Sequence, residues 1–369
     1  LKKLFTTTEY KKRNQRHADL SFFVRNKRKK KYYSAPILPV NKIHDYEESL
    51  KKDFPGYEIV IPPEEFSFID NTESVVIFIN QIMVCYENRK KVFVKLLRVQ
   101  KITYDAIIVL LSIMVKFREA GIDFNGDKPL GHSPRELLDK SGFFSELFTR
   151  KFVKSEIYEF THSDNLICTH GDKNVASDLS TQLTKTASNY LTDYKVSKAQ
   201  GVQRLMIELM QNTNNHASET PGEKHWWLSM SRNDKNKTIY FSFVDFGVGI
   251  LSSLEKKPDD NSFKSYYKKL VNLFGIENQH KHLKEIFSGA LYAETVTGEH
   301  FRGKGLPGIG AVVKRGQISN LHIITNRVKG SVKDNVYEKL SCNFSGTFYH
   351  WELKTECLSK YGKDSIQNS

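Results

Sequence analysis

The stretch E-L-M-Q-N-T-N-N-H-A, residues 208–217, decides how the rest of the chain is read. Glu208, Asn212 and His216 stand four residues apart, so on a helix an acid, an amide and an imidazole share one face. Val202, Leu205, Met206, Leu209 and Met210 supply the apolar side of that helix, which is predicted over 198–217. Alone, the polar face is an ordinary solvated one. Three later stretches change its meaning. V-D-F-G-V-G-I (244–250) puts Asp245 at the end of a strand pattern over 238–243 that pairs with another over 226–231. A carboxylate buried at such a strand end needs a partner. R-G-K-G-L-P-G-I-G (302–310) is a Gly-rich turn, with Pro307 suited to the first turn of a helix starting near Leu306. Amides of such a turn and helix start attract anions. S-G-T-F (345–348) falls at a final strand pattern, which follows another over 321–326. A dinucleotide fingerprint does not fit the Gly-rich turn: no strand precedes it and no acidic partner follows about 20 residues on.

In order, these four stretches resemble the N, G1, G2 and G3 boxes of the GHKL ATP-binding family. That family includes gyrase B, MutL, the heat-shock chaperone ATPases, histidine kinases and anti-sigma serine kinases. The resemblance covers residues 180–355 and implies an α/β fold, the two-layer α/β sandwich of the Bergerat type, with ATP and Mg²⁺ as ligands. It assigns Asn212 to Mg²⁺, an ion that takes oxygen ligands and keeps several waters. It gives Glu208 the place that orients and deprotonates the attacking water, a role that requires a carboxylate within reach. Asn215 and His216 fall where a phosphate contact is made. Asp245 takes the place that accepts the adenine amino hydrogen, and Gly247 and Gly249 let the backbone approach the base. Arg302, Gly303, Lys304, Gly305, Leu306 and Gly308 form the phosphate-facing turn and helix start, and Thr347 bonds near the adenine. Residues 252–302 are the expected ATP lid, partly ordered by helices over 264–274 and 280–291. Upstream of residue 180 there is no pattern of long paired helices with a phosphoacceptor His, which argues against an autophosphorylating histidine kinase.

The upstream half alternates strand and helix patterns. A strand over 57–61 ends at Pro62-Pro63, and a helix over 73–86 carries Val76, Phe78, Ile79, Ile82 and Met83 at helical spacing. An apolar strand over 91–97 and a strongly apolar helix over 105–117 follow. A strand or turn then begins at Gly121, and a short helix over 134–140 stops near Gly142. Such alternation predicts a small α/β domain over 56–150. Its segment V-Q-K-I-T-Y-D-A-I-I-V-L-L (99–111) resembles the strand, loop and helix of STAS domains, whose loop often carries a phosphorylatable Ser or Thr; Thr103 stands nearest that place. An unrelated α/β module matches the same pattern, and Thr103 equally suits a helix N-cap. A connector over 151–179 holds His162, His170 and Asp172 at a spacing that fits no closed metal site. A helix over 180–194 is expected to pack beside the central one, and 356–369 reads as a polar, mobile tail.

The 369 residues carry a formal net charge of +14. Much of it lies in an arm and linker over 1–55, including the run Lys27-Arg28-Lys29-Lys30-Lys31. Residues 1–34 also interleave Phe22, Phe23, Tyr32 and Tyr33 with that charge. The composition suits a nucleic-acid contact, a protein surface or a solvated tail. No apolar run approaches the roughly 20 residues of a membrane span, and no secretory signal pattern opens the sequence. The four cysteines are scattered, which predicts reduced thiols in a cytoplasmic protein. The expected function is a Mg²⁺-dependent ATPase whose lid closure drives a conformational or dimerisation switch, with a protein partner or a second copy of the chain. Two alternatives stand beside it. One is a serine/threonine protein kinase or partner-switching regulator of the anti-sigma type; the other is an ATP-gated nucleic-acid-binding protein in bacterial stress or phage defence.

Overall fold

A parallel and an antiparallel sheet organise the chain, and one helix is buried between them. The computed structural model describes residues 43–148, 157–163, 166–172, 175–193, 199–216, 225–257, 261–289 and 305–358. The upstream part runs α1 (Ile43–Asp53), β1 (Tyr57–Val60), β2 (Glu65–Phe66), α2 (Thr72–Glu87), β3 (Lys91–Val94), β4 (Lys101–Ile102), α3 (Tyr104–Glu119), β5 (Phe124–Gly126), α4 (His132–Lys140) and α5 (Phe143–Phe148). Strands β1, β3 and β5 form a parallel sheet in that order, and β2 pairs parallel with β4. Parallel neighbours need long crossovers, and α2 and α3 supply them. Side chains of β3 alternate between the two faces. Val92 and Val94 join the core shared with α2 and α3, while the Phe93 ring packs 4.6 Å from Phe54, just past α1.

The downstream part is built on six strands: β6 (Ile157–Ser163), β7 (Leu166–Asp172), β8 (His225–Asn233), β9 (Thr238–Asp245), β10 (Ser319–Ser331) and β11 (Val336–Leu353). Their order is β10-β11-β9-β8-β7-β6, and every pairing is antiparallel. One face is covered by α6 (Ser177–Thr192), α7 (Gln200–His216), α8 (Ile250–Glu255), α9 (Ser262–Phe274), α10 (Gln279–Ser288) and α11 (Gly305–Lys314). Phe241, Phe243, Tyr349 and Trp351 point into that core with Leu205, Leu209 and Ile309. The alternate residues Trp227, Val244, Ile324 and Phe348 point the other way, into the core of the upstream part.

Helix α3 is what fills the space between the sheets. Its residues from Asp105 to Val115, and then Phe117, are buried around the whole circumference. A helix that is apolar on all sides is stable only when packed on all sides. Helix α2 is fastened to the large sheet as well. Val328 of β10 pairs with Lys339 and Asn326 with Phe344, so residues 340–343 of β11 bulge out of the ladder. Side chains of α2 meet that bulge: the Ser341 N–H donates to Glu73 at 2.8 Å, and Asn80 Nδ2 donates to the Asn343 carbonyl at 2.9 Å. Phe68 packs its ring 5.3 Å from Phe344 and 4.7 Å from Phe348.

The chain is thus of mixed α/β class, with parallel and antiparallel sheets. Four departures from the sequence reading stand out. First, the large sheet has helices on both faces, because α2 and α3 occupy the face that a two-layer arrangement leaves bare. Second, of the stretch 252–302 expected as a lid, the described part is packed on the core: Tyr266, Tyr267 and Leu270 of α9 and Leu283, Ile286 and Phe287 of α10 are buried, while residues 290–302 lie outside the described residues. Third, the start of the expected polar tail is anchored. A short helix α12 (Thr355–Leu358) buries Cys357 and Leu358. Fourth, α1 and the hairpin β6–β7 arise where no element was expected. Thr103 is the N-cap of α3, but its hydroxyl makes no capping bond and faces the Phe66 carbonyl at 3.5 Å. His162, His170 and Asp172 lie in β6 and β7. Among the described residues, no group of three His, Cys, Asp or Glu is placed to hold a metal. The arm 1–42 and residues 359–369 lie outside the described residues.

Candidate functional site

Strand β9 ends on Asp245, between Trp226 of β8 and Thr347 of β11 in the pairing register. The carboxylate is buried, with 7 % of the residue exposed. Three donors meet it. The Gly247 N–H reaches Oδ1 at 3.1 Å and the Thr213 hydroxyl reaches Oδ2 at 3.5 Å. The Thr347 N–H is the third. Burial nevertheless pushes the Asp245 carboxyl up to about 7, because loss of water outweighs these bonds. An incompletely compensated carboxylate of this kind is poised to accept one more hydrogen from a ligand.

Thr213 sits on α7 beside Asn212, so one helix serves two neighbouring sets of side chains. Asn212 and Glu208 face the first residue of α11. A Cβ built on Gly305 would lie 3.2 Å from Glu208 Oε2 and 3.4 Å from Asn212 Oδ1. The α11 N-terminus thus stands close against these groups, and a side chain at 305 would press on the Glu208 carboxylate. Arg204 stands 3.8 Å from Glu208 Oε1, one turn back on α7. Asn212 Nδ2 is buried and has no hydrogen-bond partner among the described residues. The open amides of a helix start favour negative charge, and the two side-chain oxygens beside them suit a hard cation.

No family model, curated protein or solved structure matches the chain. Asp245, Gly247 and Thr347 come together at one end, and Glu208, Asn212 and Gly305 at the other, joined through α7. Leu306 packs against the core of the downstream helices, whereas Gly308 faces open space. A Cβ built on Gly249 would run into Asn326 of β10. Asn215 and His216 lie in the last turn of α7, and their side chains are outside the described residues. Arg302, Gly303 and Lys304 are likewise outside them.

Four residues of this region were not singled out from the sequence: Thr213, Thr325, Asn326 and Gly346. Thr325 and Asn326 did carry a signal, since a fully buried polar pair inside the apolar run L-H-I-I-T-N-R-V is costly unless bonded. Behind the site, the Phe246 ring packs 6.1 Å from Phe344. Lys116 of α3 lies over the Phe246 ring at 5.9 Å. The upstream part thereby touches the backs of both the 244–250 and the 345–348 stretches.

Proposed function

We propose that the chain binds ATP between Asp245 and the start of α11 and hydrolyses it. The observation that carries this reading is a buried, under-compensated carboxylate at a strand end, joined by one helix to an acid and an amide at a helix N-terminus. The resemblance of the four sequence stretches to the GHKL boxes supports the same reading. Asp245 selects the base by accepting its exocyclic amino hydrogen, which guanine does not offer at that place. The α11 N-terminus attracts the phosphates. Glu208 Oε2 and Asn212 Oδ1 are oxygen donors of the type Mg²⁺ prefers, and Asn212 would hold the ion together with phosphate oxygens and water. When bound, Mg²⁺ supplies charge neutralisation at the phosphates. Glu208 orients the attacking water and takes its proton. Nucleotide-dependent movement passes to a protein partner or a second copy of the chain, completing a conformational switch.

The deciding experiment is turnover of ATP labelled at the γ-phosphate, comparing the full chain with Glu208→Ala. Free labelled phosphate is expected from the first. The variant is expected to keep ATP affinity and to turn over about 10²–10⁴-fold more slowly, the usual range for loss of a general base. Equal turnover in both would remove Glu208 from the chemistry. Label retained on protein would replace hydrolysis with phosphotransfer of the anti-sigma kind.

A further inference from the structure

We propose that Thr325 and Asn326 are the positioning residues of this nucleotide site, an inference that rests on the reading just given. They hold the 246–249 loop and the Gly346–Thr347 step in one geometry, and so place the amides that surround Asp245. Both side chains are buried, Thr325 to 0 % and Asn326 to 1 % exposure. The β10–β11 register breaks on either side of Asn326, whose φ is +51°. A bulge of this kind re-aims a side chain that a regular strand would leave in the ladder. Here it turns Asn326 toward the loop after β9. Nδ2 donates to the Val248 carbonyl at 3.0 Å and to Ser252 Oγ at 2.9 Å, while Oδ1 accepts from the Leu251 N–H at 2.9 Å. Thr325 Oγ1 accepts from the Ile250 N–H at 3.0 Å and donates to the Gly346 carbonyl at 2.9 Å.

The two residues therefore serve the first amides of α8, whose own N-cap is Gly249 and has no side chain to offer. They also join that helix start to the 345–348 stretch. One glycine of the motifs is explained by this clasp, and a second by the neighbouring strand β9. Gly249 has φ +80°, and a Cβ there would come within 2.6 Å of Asn326 Oδ1. Gly346 has φ +147°, and a Cβ there would lie 2.1 Å from the Asp245 carbonyl oxygen. Neither Thr325 nor Asn326 bonds the Asp245 carboxylate. They fix instead the segments whose Gly247 and Thr347 amides do. Thr325 also stands 3.4 Å from the Thr347 hydroxyl.

The test is a titration of ATP and GTP against the full chain, Asp245→Asn, Thr325→Val, Thr325→Ser and Asn326→Ala. Each protein is held below its own melting transition and normalised to folded protein. Thr325→Val and Asn326→Ala are expected to weaken ATP roughly tenfold or more, as loss of buried hydrogen bonds implies, and to shrink the ATP-to-GTP preference. Thr325→Ser, which keeps the hydroxyl, restores both. Lower melting temperatures with unchanged ATP affinity and unchanged preference would reduce the pair to ordinary core knitting and overturn the proposal. If Asn326→Ala does not fold, the Thr325→Val and Thr325→Ser pair decides. Absence of ATP binding by the wild-type chain, or indifference to Asp245→Asn, would instead strike the nucleotide reading and the clasp with it.

Discussion

Asp245 ties the chemistry of the site to the pH dependence of the fold. Its carboxyl titrates near 3.8 when free and is pushed up to about 7 by burial in the folded chain. The unfolded chain thus releases this proton at lower pH than the folded one. The contribution of Asp245 to stability is fully present below about pH 4, declines as pH rises toward 7, and is flat above that. Asp245→Asn removes the dependence while keeping groups able to bond Thr213 and Gly247. The melting temperature of the variant is expected to gain on that of wild type between pH 4.5 and 7.5, followed by circular dichroism. A constant gap across that range would contradict the raised pKa. The same variant is expected to bind adenine nucleotides more weakly, so stability and ligand affinity move in opposite directions at this residue. At this scale the sequence was legible wherever local patterns carry meaning. Asp245 at a strand end and Asn212 on a helix face could be found without coordinates. Thr325 and Asn326 stand out as a polar pair in an apolar run, but what they bond could not be found, because the amides they serve lie some 75 residues away in the chain.

Among the elements, those with a clear apolar period were visible in advance: α2, α7, β8 and β9 appear close to where their spacing put them. Helix α1 was hidden by charge, since Ile43, Tyr46 and Leu50 share one face within the otherwise polar I-H-D-Y-E-E-S-L-K-K-D. The hairpin β6–β7 was hidden by alternation with Glu, Thr, Ser and His, which a strand tolerates but which reads as mixed polar sequence. The bulge at 340–343 has no local signature, because register belongs to a pair of strands and not to either one. Helix α3 shows how burial on every side translates into cost. Ile108 and Ile113 lie among its buried residues, so truncation of either to Ala is expected to cost about 2–5 kcal/mol. Denaturant unfolding would show whether both positions are equally sensitive; a near-neutral result at either would mean that side of α3 is not packed. Phe68→Ala, which removes the ring between Phe344 and Phe348, is expected to cost about 3–5 kcal/mol. It should also lower nucleotide affinity, because Thr347 lies between its two neighbours.

For the whole molecule, the shared core makes the upstream part a structural partner of the large sheet. Urea unfolding followed by far-ultraviolet dichroism and by tryptophan emission should give coincident transitions, since Trp227 lies in the core that both parts build. Two separated transitions would show that the parts fold alone. A fragment over 175–358 would uncover Trp227, Val244, Ile324, Phe344 and Phe348 together. It is expected to aggregate or bind a hydrophobic dye, which size-exclusion chromatography and dye fluorescence would detect. The arrangement of α3 between two sheets also bears on how the chain is made. Synthesis completes α3 at Glu119, but β11, which closes the sheet it packs against, ends at Leu353. At the usual elongation rates those intervening residues take roughly 10–50 s to appear. Through that interval the nascent chain presents a helix with no water-compatible side. The yield of native protein is then expected to depend on chaperone capture during translation as well as on the stability of the finished fold, which expression in a chaperone-depleted host would check.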